Sequence, residues 1–410
     1  MKQVSVFTPS HNPQYLNECY KSLKAQNYGD WEWIVLLNAK AEWERPDDQR
    51  VRVVYAEPSL KGVGALKAKA VELCDQEILI ELDHDDILMP DAIEQIVAAF
   101  EDDPDVVFVY SDFTQVTADG KPDPTRFNLD HGWQYDGDIC RSFQPTPSAV
   151  SYVWYGPNHV RAFTRSAYDA VGGYDVNLDI LDDQDLFCRL YQYGEFRYLP
   201  ICIYHQRAHG DNTQAREDLN ARIQVETVEL YDRHIMANSL AWAQRQGLLA
   251  LDLGGAHNSP DGFISVDLHD ADLVGDVLEV LSGLSESSVG VIRAVDFLEH
   301  IKPANVVPLM NEMYRVLAHG GMLLSMTPST DGRGAFQDPT HISFWNENSF
   351  WYYTDSNLSQ YVPEITCRFQ VSRLYTSFPS EWHASNQICY VFANLVSVKD
   401  GPRLPGLLKI

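Results

Sequence analysis

Two successive α/β units, the first built on a parallel sheet, are what this 410-residue sequence predicts. Three observations carry the expectation. Apolar runs of strand length alternate with amphipathic helical stretches through the first half. Acidic side chains gather at the carboxyl end of one such run, EILIELDHDDILMPD at 77–91, where open α/β sheets bind ligands. After a polar joint at 241–247, a strand, a glycine turn and a second strand begin a new pattern. The length suits two or three domains, each with its own core.

The elements follow in order. Val4 to Thr8 reads as a strand, Pro9-Ser10-His11-Asn12 as the turn after it, and Leu16, Cys19, Tyr20 and Leu23 as one helix face. Trp33 to Leu37 and Val51 to Tyr55 are further strands, and Gly62-Val63-Gly64 leads into a helix over 65–73. Ile78, Leu79, Ile80 and Leu82 make the strand that ends in Asp83, Asp85 and Asp86. Asp83 and Asp85 are spaced to converge on one hard cation, Mg²⁺ or Mn²⁺, with diphosphate oxygens completing its shell. A solvated acidic turn that caps a helix is the structural alternative. Pro90 and Asp91 start that helix, with Glu94 in the capping-box position and Ile93, Ile96, Val97 and Phe100 on one face. Val106 to Tyr110 is another strand. The long irregular stretch from Thr125 to Trp154, with Trp133, Tyr135, Phe143, Trp154 and Tyr155 in or beside it, is a candidate acceptor region because aromatic faces suit sugar C–H surfaces. Aromatics that merely pin the loop are the equal alternative. Asp182, Asp183 and Asp185 precede a helical apolar face of Leu186, Phe187 and Leu190, a place that favours carboxylates in any case. A helix over 216–235 closes the unit.

VSVFTPSHN, LKGVGALKAKA, LDHDD, GGYD and LDDQDLFCRL stand in the order seen in family 2 glycosyltransferases of the GT-A fold. The resemblance covers residues 1–235 and implies the following roles. Asp83 and Asp85 look like the family's DxD motif, with Asp85 on the metal and Asp83 on the nucleotide-sugar. Thr8, Pro9 and Glu57 occupy positions that line the nucleotide pocket. Lys67 sits where the family often has Arg beside base and phosphates, although a solvated helix Lys reads equally well. Asn38 stands where the family shows an acidic residue against the nucleoside, and its amide both donates and accepts. Asp183 falls on the catalytic base of the family's acidic pair, with Asp182 the alternative because it replaces the usual Glu. In YHQRAHGDNTQ, His209 best matches the histidine that helps hold the metal, and His205 is the weaker match. Transfer would invert the anomeric centre.

LLALDLGGAHNSPDGFISVDLHD, AVDFLEHI and NEMYRVLAHGGMLLSMTPS resemble class I S-adenosylmethionine-dependent methyltransferases, with a Rossmann-like fold, over residues 248–375. Val306, Met310, Met313, Tyr314 and Leu317 mark a helix that stops at Gly320-Gly321 and feeds a strand. By the resemblance, Asp252 and Gly254 match the first motif, and Gly255 belongs to a turn that departs from GxGxG. Asp267 at the next strand end would hold the ribose hydroxyls, and Asp276 lies near the adenine position. His341 is a candidate base with Asp338 to orient it; a loop histidine is the alternative. Glu299-His300 would line the pocket.

A net charge of −27 excludes a nucleic-acid partner of the usual basic kind. The same chain can bind a nucleotide diphosphate if a cation reverses the local sign. Seven scattered cysteines without CxxC spacing, no signal-peptide core in MKQVSVFTPSHN and no apolar run of membrane length point to a cytoplasmic protein, and leave peripheral contact with a membrane open. The expectation is a family 2-like glycosyltransferase domain over 1–236, a linker over 237–247 and a methyltransferase-like domain over 248–410. The first would move a sugar from a nucleotide-diphosphate sugar, with a divalent cation, to a glycan or glycolipid acceptor. The second would O-methylate the same glycan with S-adenosylmethionine. A glycosyltransferase with an inactive second domain is the first alternative, and a non-catalytic glycan-binding or assembly protein the second.

Overall fold

The first unit's sheet contains β1 (Val4–Ser10), β2 (Trp31–Leu37), β3 (Val51–Tyr55), β4 (Ile78–Glu81), β5 (Ile87–Leu88), β6 (Val106–Val116), β7 (Gln134–Asp136), β8 (Ile139–Arg141), β9 (Arg161–Thr164) and β10 (Glu195–Arg207). Their order is β3-β2-β1-β4-β9-β6-β10-β5, with the β7–β8 hairpin set on β6. The computed structural model describes residues 3–38, 41–123, 133–153, 156–210 and 217–401. Trp154 and Tyr155, and residues 125–132 of the expected acceptor region, lie outside the described residues.

β3, β2, β1 and β4 are parallel, as the alternating pattern predicts. β9 then runs antiparallel to both β4 and β6, so the sheet is mixed rather than wholly parallel. β1, β2 and β4 are buried almost without interruption, including the polar Ser5, Thr8 and Ser10 of β1. The helix Ala92–Asp102 has the expected buried face, but Asp91 makes no side-chain cap. Gln26, just beyond the end of the helix Leu16–Lys24, supplies a cap instead, accepting the Ile93 N–H through Oε1 at 3.1 Å. Trp133 is buried against Phe113 and Phe143, with ring centroids 5.7 and 4.5 Å away, so it pins the chain instead of offering a face to sugar.

By contact density the chain divides into Met1–Pro145 with Trp154–Arg233, and Thr146–Val153 with His234–Lys409. The helix Glu217–Arg245 continues through the expected joint because no Gly or Pro interrupts it before Gly247, whose φ of 65° ends the run. The second unit holds β11 (Leu249–Leu253), β12 (Ile264–Asp267), β13 (Leu273–Val274), β14 (Val289–Val295), β15 (Leu317–Pro328), β16 (Phe369–Ser377) and β17 (Tyr390–Ser397). Their order is β13-β12-β11-β14-β15-β17-β16, parallel as far as β15 and antiparallel beyond it. The helix Pro303–Val316 ends before the glycines, since Leu317 is already paired with Val289 in the sheet. Leu251, Ile292, Leu323, Met310, Met313 and Phe350 form the middle of this unit's core. Among the described residues, no helix is long and apolar enough to cross a membrane.

Candidate active site

The acidic stretch is a tight turn whose three aspartates do three different things. Asp86 N–H donates to the Asp83 carbonyl at 3.2 Å, closing the turn after β4. Asp86 faces inward: Oδ1 accepts the Arg207 N–H at 2.7 Å and Oδ2 the Tyr204 hydroxyl at 2.8 Å. Burial, then Asp85 and Asp83, push its pKa well above the ordinary range. Asp86 therefore ties the turn to β10. Asp85 Oδ2 lies 2.7 Å from His209 Nε2, while the Asp85 carbonyl takes the Arg207 Nε–H at 2.7 Å. Asp83 points elsewhere, with Oδ2 3.9 Å from His159 Nε2. Enclosure by the surrounding protein, then the Glu81 carboxylate, push Asp83 up to about 7, although 37% of its side chain still meets open space. Asp83 and Asp85 thus open on one cavity with different partners, rather than converging as a pair.

A buried ion network backs the turn. Glu81, the last residue of β4, takes Lys67 Nζ at 2.9 Å and Arg161 Nη1 at 3.1 Å on Oε1, and the Tyr174 hydroxyl at 2.7 Å on Oε2. Lys67 also reaches Asp182 Oδ2 at 2.9 Å, and Arg161 reaches Asp183 Oδ2 at 2.9 Å. Burial opposes the charge on Lys67, but Asp182 and Glu81 override it and hold the ammonium well above its ordinary pKa. Burial likewise works against ionised Glu81, yet Lys67 and Arg161 hold it down at about 2. Asp182 goes the other way, pushed up to about 6 by burial even with Lys67 beside it. Gly64 makes this network reachable. Its N–H donates to the Leu178 carbonyl at 3.1 Å, and a Cβ there would come within 2.2 Å of the Asp175 carbonyl oxygen. The helix Val63–Glu72 can therefore lie close against the GGYD loop and deliver Lys67 to the interior.

These groups open on a cavity of about 280 Å³. Pro9, Asn38, Lys67, Asp83, Asp85, Asp182, Asp183 and His209 all line it, so eight expected residues meet at one place. Thr8 does not. Its hydroxyl donates to the Leu82 carbonyl at 2.7 Å and accepts the Trp33 indole N–H at 2.9 Å, locked in the core. Glu57 is exposed and away from the cavity wall, and His205 sits on β10 paired with Ile87. Lys67 is not the solvated helix lysine. Glu81, Arg161 and His159 were not anticipated. A lone carboxylate ending the buried run ILIE was the available signal, because a buried Glu needs a cation beside it.

The second unit has its own crevice of about 510 Å³, at the carboxyl ends of β11, β12 and β14, where the strand order reverses. Gly254, Asp267 and Asp276 line it. Asp267 accepts the His269 N–H at 3.3 Å, and Asp276 caps the helix Val277–Ser282 by accepting the Leu278 N–H at 3.0 Å. Asp252 is fully buried, with Arg293 Nη1 2.7 Å from Oδ1, and lies outside the crevice wall. A Cβ on Gly255 would fall 2.0 Å from Asp252 Oδ2. Gly255→Ala is therefore expected to cost about 1–3 kcal/mol through forced repacking, read as a lower guanidinium midpoint for this unit. An unchanged midpoint would show that the turn has room. Asp338 does not orient His341: its Oδ1 takes the Thr340 N–H and hydroxyl at 2.8 and 2.7 Å, and His341 Nδ1 instead meets the Ala335 carbonyl at 3.2 Å. His341 is also not among the residues lining the crevice.

Residues 5–168 match the model of the family described as Glycosyl transferase family 2. Chondroitin synthase of Escherichia coli is 25% identical over 224 residues, covering 52% of this chain and 30% of the relative. Hyaluronan synthase of Pasteurella multocida is 25% identical over 222 residues, covering 52% of this chain and 21% of the relative. The chain thus spans less than a third of the length of either. A crystal structure of S. aureus TarS in complex with UDP-GlcNAc is a distant likeness, with a TM-score of 0.43 and 14% identity over 60% of this chain and 72% of that one.

Proposed function

We propose, from the premise that the N-terminal region carries a glycosyl transferase family 2 domain, that this unit moves a sugar from a nucleotide-sugar to a hydroxyl of a glycan or glycolipid, with inversion. The supporting observation is the single cavity that places Asp85 and His209 together with the Asp182–Asp183 pair. Asp85 and His209 would hold a divalent cation, Mn²⁺ or Mg²⁺. A carboxylate oxygen and an imidazole nitrogen 2.7 Å apart on one cavity wall are a donor set that suits such an ion. When bound, the ion would supply charge neutralisation of the departing diphosphate.

The chain's own groups take the remaining tasks. Asn38 and Pro9 form the wall against the nucleoside, and Asp83, part-exposed, reaches hydroxyls of the donor. Asp183 accepts the proton of the attacking hydroxyl. It is the more open of the pair, its side chain 18% exposed against 6% for Asp182. Its carboxylate is also held in one plane by Arg161 and by the Gln184 N–H, at 2.9 and 2.8 Å.

For the second unit we propose O-methylation of the same glycan with S-adenosylmethionine. The crevice at the strand-order reversal, with Asp267 at its second strand end, supports that reading. Two activities on one chain would raise the effective concentration of one site's product at the other. The engagement of buried Asp252 by Arg293, neither of them lining the crevice, favours the competing view of this unit as a support without turnover. Thermal shift separates the readings, because a ligand that binds the native state raises the melting temperature. A rise with one of the UDP-, GDP- or dTDP-sugars, dependent on Mn²⁺ and lost in Asp85→Asn, is expected. No rise with any of them would sink metal-dependent transfer. A rise with S-adenosylmethionine is expected for an active second unit, and none would select the support.

A further inference from the structure

Glu299 is a buried carboxylate of the second unit with one oxygen unmet. It is 1% exposed, Oε2 takes the Thr327 hydroxyl, and Oε1 has no hydrogen-bond partner. A buried oxygen left so is costly unless a proton or a cation meets it. Two imidazoles stand beside it. A ligand atom from each of Glu299, His300 and His341 lies within 4.8 Å of the other two.

The hydrogen bonds on the far side of each ring decide which nitrogen carries the proton. His341 Nδ1 is 3.2 Å from the Ala335 carbonyl, which can only accept. His300 Nδ1 is 3.3 Å from the Thr340 carbonyl and 3.2 Å from Thr340 Oγ1. That hydroxyl gives its own proton to Asp338 at 2.7 Å, so it too accepts. Each Nδ1 is therefore engaged as a donor, which leaves Nε2 as the nitrogen open to a cation, the arrangement in which outer partners keep a metal-binding histidine. The rings stand 5.0 Å apart between centroids at 76°, not stacked face to face.

We propose that Glu299, His300 and His341 form a site for a divalent first-row transition cation, such as Zn²⁺, Co²⁺ or Mn²⁺, at the margin of the second unit's crevice. Two imidazoles and one carboxylate leave coordination positions open, the pattern of sites that act on a ligand rather than of closed structural ones. His300 lines the crevice, so the open positions are available to an oxygen of whatever occupies it. His341 becomes a ligand here, and Asp338 acts on His300 through Thr340. The inference stands apart from both proposed activities, since the ion needs only these three side chains.

Equilibrium dialysis of the full chain against Co²⁺ tests it, in an Asp85→Asn background that removes a candidate ligand from the first cavity. About one Co²⁺ per chain is expected beyond any held elsewhere, with a visible spectrum of imidazole ligation. His300→Ala, at an exposed position where folding is not at stake, is expected to remove that equivalent, as is His341→Ala. Thr340→Ala should weaken binding about 10-fold through the lost outer partner. Co²⁺ uptake unchanged in His300→Ala, or no retained Co²⁺ in the parent, would overturn the site.

Discussion

Asp183→Asn is expected to lower the rate of sugar transfer by about 10²–10⁴-fold, the range a positioned general base contributes. The amide is isosteric and can still accept from the Gln184 N–H. Arg161 keeps its second partner, Glu81, at 3.1 Å, so the fold and the donor's wall stay in place. Donor affinity should therefore change little while the rate collapses. Single-turnover assays with a radiolabelled donor would measure the first effect, and isothermal titration the second. Asp182→Asn is the informative companion. Asp182 is held by Lys67 and nearly closed off, so its loss should be felt in stability more than in the rate. If Asp182→Asn proved the more damaging to rate in a folded protein, the proton acceptor would be Asp182, the group already pushed up to about 6. If neither substitution affected function, a non-catalytic role would be left standing.

Glu81→Ala should be the most destabilising single change in the first unit. It would leave Lys67 and Arg161, both buried, short of a counter-charge and would free the Tyr174 hydroxyl. Breaking a buried ion group by removing one partner costs about 3–5 kcal/mol. In a unit of roughly 150–250 residues, each kcal/mol lowers Tm by about 2–4 °C, so a fall of about 6–20 °C is expected by calorimetry. Glu81→Gln should show the electrostatic part alone. Folded Glu81 stays ionised down to about 2, whereas in the unfolded chain it takes its proton near the ordinary 4.5. The stability it contributes is complete above 4.5 and lost as pH falls through that window toward 2. Glu81→Gln should flatten this acid limb, and a limb unchanged by the substitution would contradict the ion network.

The parallel strands were legible because both faces of β1, β2 and β4 are covered, which leaves mostly apolar runs such as WIVLL and ILI. The acidic turn was legible because three carboxylates rarely follow such a run without cause. The antiparallel β9 was not, since its four residues take their direction from the neighbours β4 and β6. Nor was the fate of Thr8, whose hydroxyl is claimed by Trp33 and Leu82 from other strands. Asp91 has the right residue type for a cap and makes none, whereas Gln26, just past the helix Leu16–Lys24, accepts the Ile93 N–H.

By itself, the sequence placed two α/β patterns in succession and a cluster of aspartates at the end of a buried strand, and its resemblance to family 2 glycosyltransferases assigned Pro9, Asn38, Lys67, Asp183 and His209 to the same site. The first two follow from local periodicity and from residue chemistry at strand ends, the last from the order of the motifs. Tertiary structure alone decided how the charges pair. Asp83, Asp85 and Asp86 are neighbours in sequence, yet they face His159 ahead of β9, His209 beyond β10 and Arg207 at the end of β10. It also decided that Glu81 is buried among cations and that Glu299 is left with an oxygen unmet beside two imidazoles. The energy of a buried charge depends on what long-range packing places within a few ångströms of it, and the linear order of residues does not contain that distance.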